Sequence, residues 1–497
     1  MNPPGSYPVV VVGSGPGAIQ ASSSLRSWGI AHAVISADPA PGGMFRRWPF
    51  FQRLLSWTKP YALSEPGSPL YERSDWNSLL TDDPAATSLQ RGLMDGSSPF
   101  PTRAEMEANL VAFTERSRLD IQYGCAWRST RLVDDADGSR FVLETDQGEY
   151  RCAVLVMAVG VAEPWIPAMP GAELVHHYGQ VRSAESYAGK RVFIIGKQNS
   201  GFELASGLLP WASQLVLASP SPTSLSVTTR TLVGVRARYL QPYEDAVLGG
   251  GVTILDAAID RVESAADGGL TVHVRRTDRD ASMAFTVDEV IAATGFTAPL
   301  LDLPALGCAV AGQSKLPVQT PWWESATLPG LFFAGTITQG ARGLRRHGVP
   351  SNSGAVHGAR YNAQVLAGYI AETRFGATPE RPVVSPAGAI DQIARELTES
   401  PALFHQRGYL ARLLTADGSG GLRDDGIVPL SHALDTGGPD SLAVTLEGDG
   451  SGSIYPVLYA RAAGAMTEHM LEPDTLLRYD GVDARRAITE VVTSVLG

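Results

Sequence analysis

Gly13, Gly15 and Ala18 stand at G-x-G-x-x-A spacing directly after four consecutive valines, Val9 to Val12. In that order a first glycine turns the chain tightly, a second lets a pyrophosphate approach the backbone, and a small third residue lets the next helix pack on the strand. Pro16 and Gly17 complete the turn, and a helix from about Ile19 to Trp28 would point bare amides at the phosphates. A glycine turn after a strand can also be purely structural; strand before and helix after favour binding. A second constellation follows at Gly196, where Lys197, Gln198, Asn199, Ser200 and Gly201 link an apolar run to a helix over Phe202 to Leu209. Gln198 replaces the middle glycine there, so backbone approach to a pyrophosphate is less free.

Further residues gather around each turn. Ala33 to Asp38 reads as the second strand of the first βαβ unit, whose end usually carries a ribose-binding carboxylate. Six residues before the Gly42-Gly43 pair, where that carboxylate is expected, stands Ser36. Asp38 can take over the contact or be an ordinary loop aspartate. Gly42, Gly43, Met44 and Phe45 would bring backbone against the ligand. The second unit has its matching strand at Gln214 to Ala218, followed by Ser219 and a hydroxyl-rich loop with no arginine before Arg230, which leaves selection of a ribose 2′-phosphate open.

These residues need a scaffold of buried parallel strands, and the chain supplies one twice. Ala153 to Gly160 and Ile291 to Phe296 are apolar strands running into Gly160 and Gly295, and Leu328 to Gly335 is another whose end should return to the first ligand. Thr102 opens a helix to Arg118 with a capping box to Glu105. Ser353 begins a helix with small residues at i, i+4 spacing, Gly354 with Gly358 and Ala355 with Ala359. The aromatic and arginine-rich stretch Arg46 to Tyr61 is either a loop packed on the core or a wall of the cofactor and substrate cavity. Leu63 to Pro101 reads as a long surface excursion.

The expected fold class is α/β, with two Rossmann-like dinucleotide-binding domains, the second inserted in the first. Residues 1–162 and 291–376 form one, residues 163–290 the other. A C-terminal α+β extension, 377–497, opens with a Pro-rich linker and a helical run from Ile390 to Leu413, then strands at Leu442 to Leu446 and Ile454 to Tyr459 and a helix from Asp483 to Leu496. Dimer contact and substrate closure are the two roles open to it.

Composition narrows the partners. The net charge of −11 repels nucleic acid and anionic membranes, and no apolar run approaches the roughly 20 residues that span a bilayer. The start of the chain has neither the basic nor the apolar segment of a signal peptide, so a cytoplasmic location is expected. Four lysines against 40 basic residues, with much Ala, Gly and Pro, is the usage of a GC-rich bacterial genome. The three cysteines, Cys125, Cys152 and Cys308, form no C-x-x-C pair, which argues against a redox-active disulfide. No metal-ligand pattern is read.

The turn at Gly13, Gly15 and Ala18, Gly42-Gly43, the Val159 to Pro167 crossover, the Gly196 to Gly201 turn, Ala293-Thr-Gly295 and Phe333-Ala-Gly335 together resemble the two-dinucleotide-binding-domain flavoproteins. Among these the chain resembles the flavin-containing and N-hydroxylating monooxygenases over its first ~375 residues. The F-x-G-x-x-x-H signature of flavin monooxygenases is broken: with its histidine at His177, Gly171 and Glu173 stand where Phe and Gly belong. The resemblance implies FAD on the first turn, with Trp127, Gly160, Gly335 and Thr336 as further contacts; Thr336 replaces the usual ribityl-binding aspartate. It implies NADPH on the second, with NADH open, and Asn199 and Ser200 either holding the nicotinamide or capping their helix. Hydride would pass to the flavin, and reduced flavin with O2 would give a C4a-hydroperoxide. Arg345, Arg346 and His347, after the flavin strand, would serve FAD, lie on a solvated face or bind a substrate carboxylate. The activity implied is oxidation of nitrogen in a small amine or amino acid. Baeyer-Villiger or sulfur oxidation, and a reductase feeding a carrier protein, are the alternatives.

Overall fold

The structure is a computed structural model, and it describes the whole chain except residues 1, 48–52, 135–137, 139, 230–233, 242–250, 267, 342–350, 436, 450 and 497. Two compact units emerge: one of residues 1–46, 56–161 and 298–497, the other of residues 47–55 and 162–297.

In the first unit the four valines lie in β1 (Gly5–Val12), buried on both faces as a β-branched run in a parallel sheet should be. Helix α1 (Pro16–Ser27) leads to β2 (His32–Ile35), parallel to β1. Helix α2 (Arg103–Arg116) starts on the expected capping box of Thr102 and Glu105. A meander of β3 (Trp127–Leu132), β4 (Phe141–Thr145) and β5 (Gly148–Met157) completes the order β2-β1-β5-β4-β3.

The second unit is a seven-stranded sheet. Its strands are β6 (His176–His177), β7 (Arg191–Ile195), β8 (Gln214–Ser219), β9 (Val252–Ser264), β10 (Leu270–Arg276), β11 (Ser282–Val287) and β12 (Glu289–Ala292), in the order β11-β10-β9-β8-β7-β12-β6. Strand alternation divides its core: Val192 and Ile194 join Phe202 and Leu204 of α3 (Asn199–Leu208), while Phe193 and Ile195 join Val216, Leu255 and Val272 on the opposite face.

The chain then returns to the first sheet. Strand β13 (Leu331–Phe333) lies parallel to the last three residues of β5, whose earlier half pairs with β4. Helix α4 (Val356–Phe375) follows and packs along α1. Beyond it an antiparallel sheet of β14 (Val383–Val384), β15 (Leu410–Ala416), β16 (Leu422–Pro429), β17 (Ser441–Gly448), β18 (Ile454–Ala462) and β19 (Ala465–Met470) runs in the order β14-β16-β15-β17-β18-β19. Helices α5 (Pro386–Glu399) and α8 (Val482–Leu496) share one apolar core with it, and the short α6 (Pro401–His405) and α7 (Leu430–Asp435) sit between its strands in sequence.

Four expectations change. Residues 291–297 belong to the second unit, because β12 is hydrogen-bonded between β7 and β6; the first unit resumes at Ala298. The C-terminal extension clusters with the first unit rather than apart from it. The helical run Ile390 to Leu413 breaks at Ser400-Pro401, where a new helix is capped, and at Gly408, after which the chain is strand. Finally, the stretch Leu63 to Pro101 is not a surface excursion: Tyr71, Asp75, Asn77, Leu79, Leu80 and Gln90 are buried. Its backbone polar groups are met from inside, Gln20 bonding both ways to Leu80. Residues 48–52 of the aromatic stretch lie outside the described residues.

Candidate functional site

In the first unit three backbone segments converge on the 13–17 turn so closely that side chains are excluded. A Cβ on Gly13, whose φ is +135°, would lie 2.5 Å from the Ala158 carbonyl oxygen. One on Gly17 would lie 2.4 Å from the Gly335 Cα, and one on Gly43 2.8 Å from the Gly15 Cα. Gly15 itself is different: its Cβ would meet only Gly43, at 3.8 Å, so its open side faces the space where a ligand backbone can approach. It is also the N-cap of α1, whose first turn carries Pro16 and no side-chain cap, which leaves the helix terminus to an anion.

Around that cradle Ser14 Oγ donates to Asp38 Oδ2 at 2.6 Å, and the Ser36 hydroxyl accepts the Asp38 amide at 3.1 Å. Ser36 and Asp38 are both buried, so Asp38 is an oriented carboxylate tied to the glycine turn rather than a solvated loop residue. Gly42 donates to the Ser14 carbonyl at 3.0 Å. Met44 and Phe45 begin a single helical turn, held where Arg103 Nη1 donates to the Phe45 carbonyl at 3.0 Å. Thr336 Oγ1 is 3.4 Å from the position of a Gly160 Cβ, so those two predicted residues are neighbours. Trp127 packs against the core of the first sheet, its indole N–H donating to Thr130 Oγ1 at 2.9 Å. A cleft of ≈ 400 Å³ opens beyond the Asp38 loop, lined by Pro41, Val111, Thr114, Ile121 and Tyr123 among others.

The second unit repeats the cradle. A Cβ on Gly196, φ +113°, would lie 2.5 Å from the Ala293 carbonyl oxygen, matching Gly13 against Ala158. Gly201 is pressed against the Gly196 carbonyl, and Gln198, extended and exposed, is the N-cap of α3 without a side-chain cap. Ser200 lies in that first turn. Asn199 is turned toward the protein: its amide donates to the Gly234 carbonyl at 3.1 Å and its Oδ1 accepts the Arg236 N–H at 3.3 Å. Lys197 is buried and ion-paired with Asp256, and Ser219 donates to the Ser221 carbonyl at 3.3 Å. Gly295, φ +94°, offers its carbonyl to His177 Nε2 at 2.9 Å, while His177 Nδ1 accepts the Gly179 N–H at 3.0 Å. That arrangement requires the Nε2–H tautomer, and burial pushes the His177 pKa down, so this histidine is a neutral brace for Gly295.

Next to it Glu203 of α3 is buried and accepts the Tyr178 hydroxyl at 2.7 Å. Burial pushes its carboxyl up to about 7, against the pull of the Tyr178 hydrogen bond and of Arg238. The folded protein therefore holds this proton where the unfolded chain, at an ordinary value of 4.5, has lost it. Stability contributed here is full below pH 4.5 and declines as pH rises to about 7. Glu203→Gln, which keeps an oxygen acceptor for Tyr178, is expected to remove that slope and to raise unfolding stability at pH 8 by about 3 kcal/mol. Denaturant titrations at pH 5 and pH 8 measure it; equal pH slopes in both proteins would refute it.

Arg345, Arg346 and His347 lie outside the described residues. Reasoning from sequence missed the polar side chains behind the first cradle, Thr338, Ser353, Asn362 and Gln406, and the buried Arg360. Their signal was present in part: Arg360 and Asn362 stand in a stretch, residues 356–363, that is buried all round and in which such side chains need partners.

Residues 10–335 match the family described as pyridine nucleotide-disulphide oxidoreductase. The mouse protein named FAD-dependent oxidoreductase domain-containing protein 2 is 26% identical over 438 residues, 81% of this chain; the chain spans 64% of that protein's length. Among solved structures, the bacillithiol disulfide reductase of Staphylococcus aureus superposes with a TM-score of 0.57 at 15% identity, covering 74% of this chain and 99% of that one. The ornithine N-hydroxylase of Kutzneria sp. 744 gives 0.55 at 15%, covering 74% and 100%. A disulfide reductase and a hydroxylase thus match almost equally, so the likeness carries the fold and no choice of acceptor. No helix of the described residues is long and apolar enough to cross a membrane.

Proposed function

The chain belongs to the pyridine nucleotide-disulphide oxidoreductase family, an FAD-dependent oxidoreductase using NAD(P)H, and from that premise we propose that it is a monooxygenase delivering electrons to O2. FAD, when bound, supplies the step between nicotinamide and acceptor. The residues present fit it: the open side of Gly15, the bare terminus of α1 and the oriented Asp38 suit pyrophosphate and ribose, and the cleft beside Pro41 suits the adenosine end. The Gly196 turn and α3 take the nicotinamide nucleotide in the same manner, with Ser219 at the ribose position, where a carboxylate would select against a 2′-phosphate. NADPH is accordingly admitted at this position, and it is the donor we assign, with NADH open.

One observation carries the choice of acceptor. All three cysteines are buried free thiols, and burial pushes the Cys152 and Cys308 thiols up, away from the thiolate that disulfide exchange requires. Thiol relay within this chain is thereby disfavoured, and dioxygen, which needs no further protein group, is the acceptor we assign. Nitrogen of a small, carboxylate-bearing amine is the substrate class we assign, from the presence of Arg345 and Arg346 in the sequence. The test follows O2 uptake by purified protein with NADPH in the presence of amine and amino-acid panels. Substrate-stimulated uptake with an oxygenated product is expected; uptake or NADPH oxidation that requires an added carrier protein would instead make it a reductase.

A further inference from the structure

Gly335 forms one wall of the first cradle, and the side chains that hold it reach into the C-terminal extension of the same unit. Gln406, between α6 and β15, is fully buried. Its Oε1 accepts the Asn352 N–H at 3.0 Å; its Nε2 donates to Asn362 Oδ1 at 2.7 Å and to Ser353 Oγ at 3.1 Å. Asn362, on the second turn of α4, donates in turn to Thr338 Oγ1 at 3.2 Å and to Ser353 Oγ at 2.9 Å. The Thr338 hydroxyl then donates to the Gly335 carbonyl at 2.7 Å. A chain of side chains thus runs from Gln406 to the glycine that faces Gly17.

A second arm starts three residues later. The buried Tyr409 hydroxyl accepts the Trp323 indole N–H at 2.8 Å. Trp323 is itself fully buried at φ +58°, a conformation that costs energy in an aromatic residue, and its carbonyl accepts the Phe333 N–H at 2.9 Å. Residues 406 and 409 therefore grip the cradle strand on both sides of Ala334-Gly335.

We propose that Gln406 and Tyr409 are positioning residues for FAD: the C-terminal extension sets the separation of Gly335 from Gly17 and the placement of the α4 terminus, and so belongs to the flavin site. The proposal rests on the first cradle being the FAD site. Its physical basis is that a cradle this tight works only at one spacing, and a fully satisfied buried polar network specifies one arrangement where an apolar contact would tolerate several.

Tyr409→Phe deletes one oxygen and Gln406→Met keeps length without hydrogen bonds. Three quantities are measured on the full chain: the FAD dissociation constant, the flavin midpoint potential, and melting with and without FAD. Each variant is expected to weaken FAD about tenfold or more, to shift the potential, and to lower the melting temperature of the FAD-loaded protein more than that of the apoprotein. Wild-type affinity and potential in both variants, or equal melting losses with and without FAD, overturn the proposal. If Gln406→Met does not fold, Tyr409→Phe decides alone. Wild-type protein that binds no FAD defeats the cradle reading itself, which is a different result from variants that bind it normally.

Discussion

Gly17→Ala is expected to yield protein that purifies without FAD and rebinds it at least 100-fold more weakly than wild type. The added methyl would sit 2.4 Å from the Gly335 Cα and 2.7 Å from its amide nitrogen, contacts that no side-chain rotation relieves because both atoms are backbone. Either α1 or the 334–335 segment must shift, and in a close-packed interior such a shift costs about 1–3 kcal/mol or more. A 100-fold loss is about 2.7 kcal/mol, within what that displacement removes from the pyrophosphate contacts. Gly92→Ala is the control: nothing lies within 4 Å of its Cβ and its φ is ordinary, so its effect should stay within about 0.5 kcal/mol. Flavin absorbance per protein and a fluorescence titration with FAD decide the matter. Stoichiometric, tightly held FAD in Gly17→Ala would show that the 13–17 turn does not carry the cofactor.

Arg360→Met is expected to be the most destabilising change outside the glycine turns. Arg360, buried on α4, donates to the carbonyls of Ser78 and Asp75, the latter at 2.8 Å, to that of Glu72 at 3.3 Å, and to the Tyr361 hydroxyl at 3.2 Å. The Tyr361 hydroxyl donates in turn to Glu72 Oε2 at 2.6 Å. A planar five-donor guanidinium can meet three carbonyls of one loop at once, which a methionine cannot. Leaving the Ser78 and Asp75 carbonyls dry, while Glu72 keeps the His405 ring as a partner, costs about 3–5 kcal/mol in sum, roughly 4–7 °C of melting temperature in a unit of this size. Arg360→Lys, with donors but no fork, should fall between. Calorimetry measures it, and a melting temperature within 2 °C of wild type would mean that the 72–78 segment is held without the Arg360 guanidinium, by its apolar contacts and the bonds of Asn109, His405 and Thr58.

The glycine spacing was readable because each glycine answers a local demand. Gly13 and Gly196 sit where φ must be positive and a strand-end carbonyl presses from behind, and that demand is written in strand, turn and helix within twenty residues. The capping box at Thr102 and the apolar strands were legible for the same reason. The stretch from Leu63 to Pro101 was misread because Pro, Ser, Asp and Gly look alike in a solvated loop and in a buried one whose polar groups are met by Gln20, Asn109 and Arg360. The bonds of Asn199 to residues 234 and 236 were beyond the sequence for another reason, since those partners lie 35 and 37 positions away.

The order of residues alone therefore settled the two glycine turns, their strands and helices, and the family to which they belong, since periodicity and glycine position act over a few neighbouring residues. Tertiary structure decided which polar groups stand behind them. Gln406 meets Asn362 across 44 positions and Arg360 meets Ser78 across 282, and no local pattern announces a hydrogen bond whose partner is chosen only when distant segments pack.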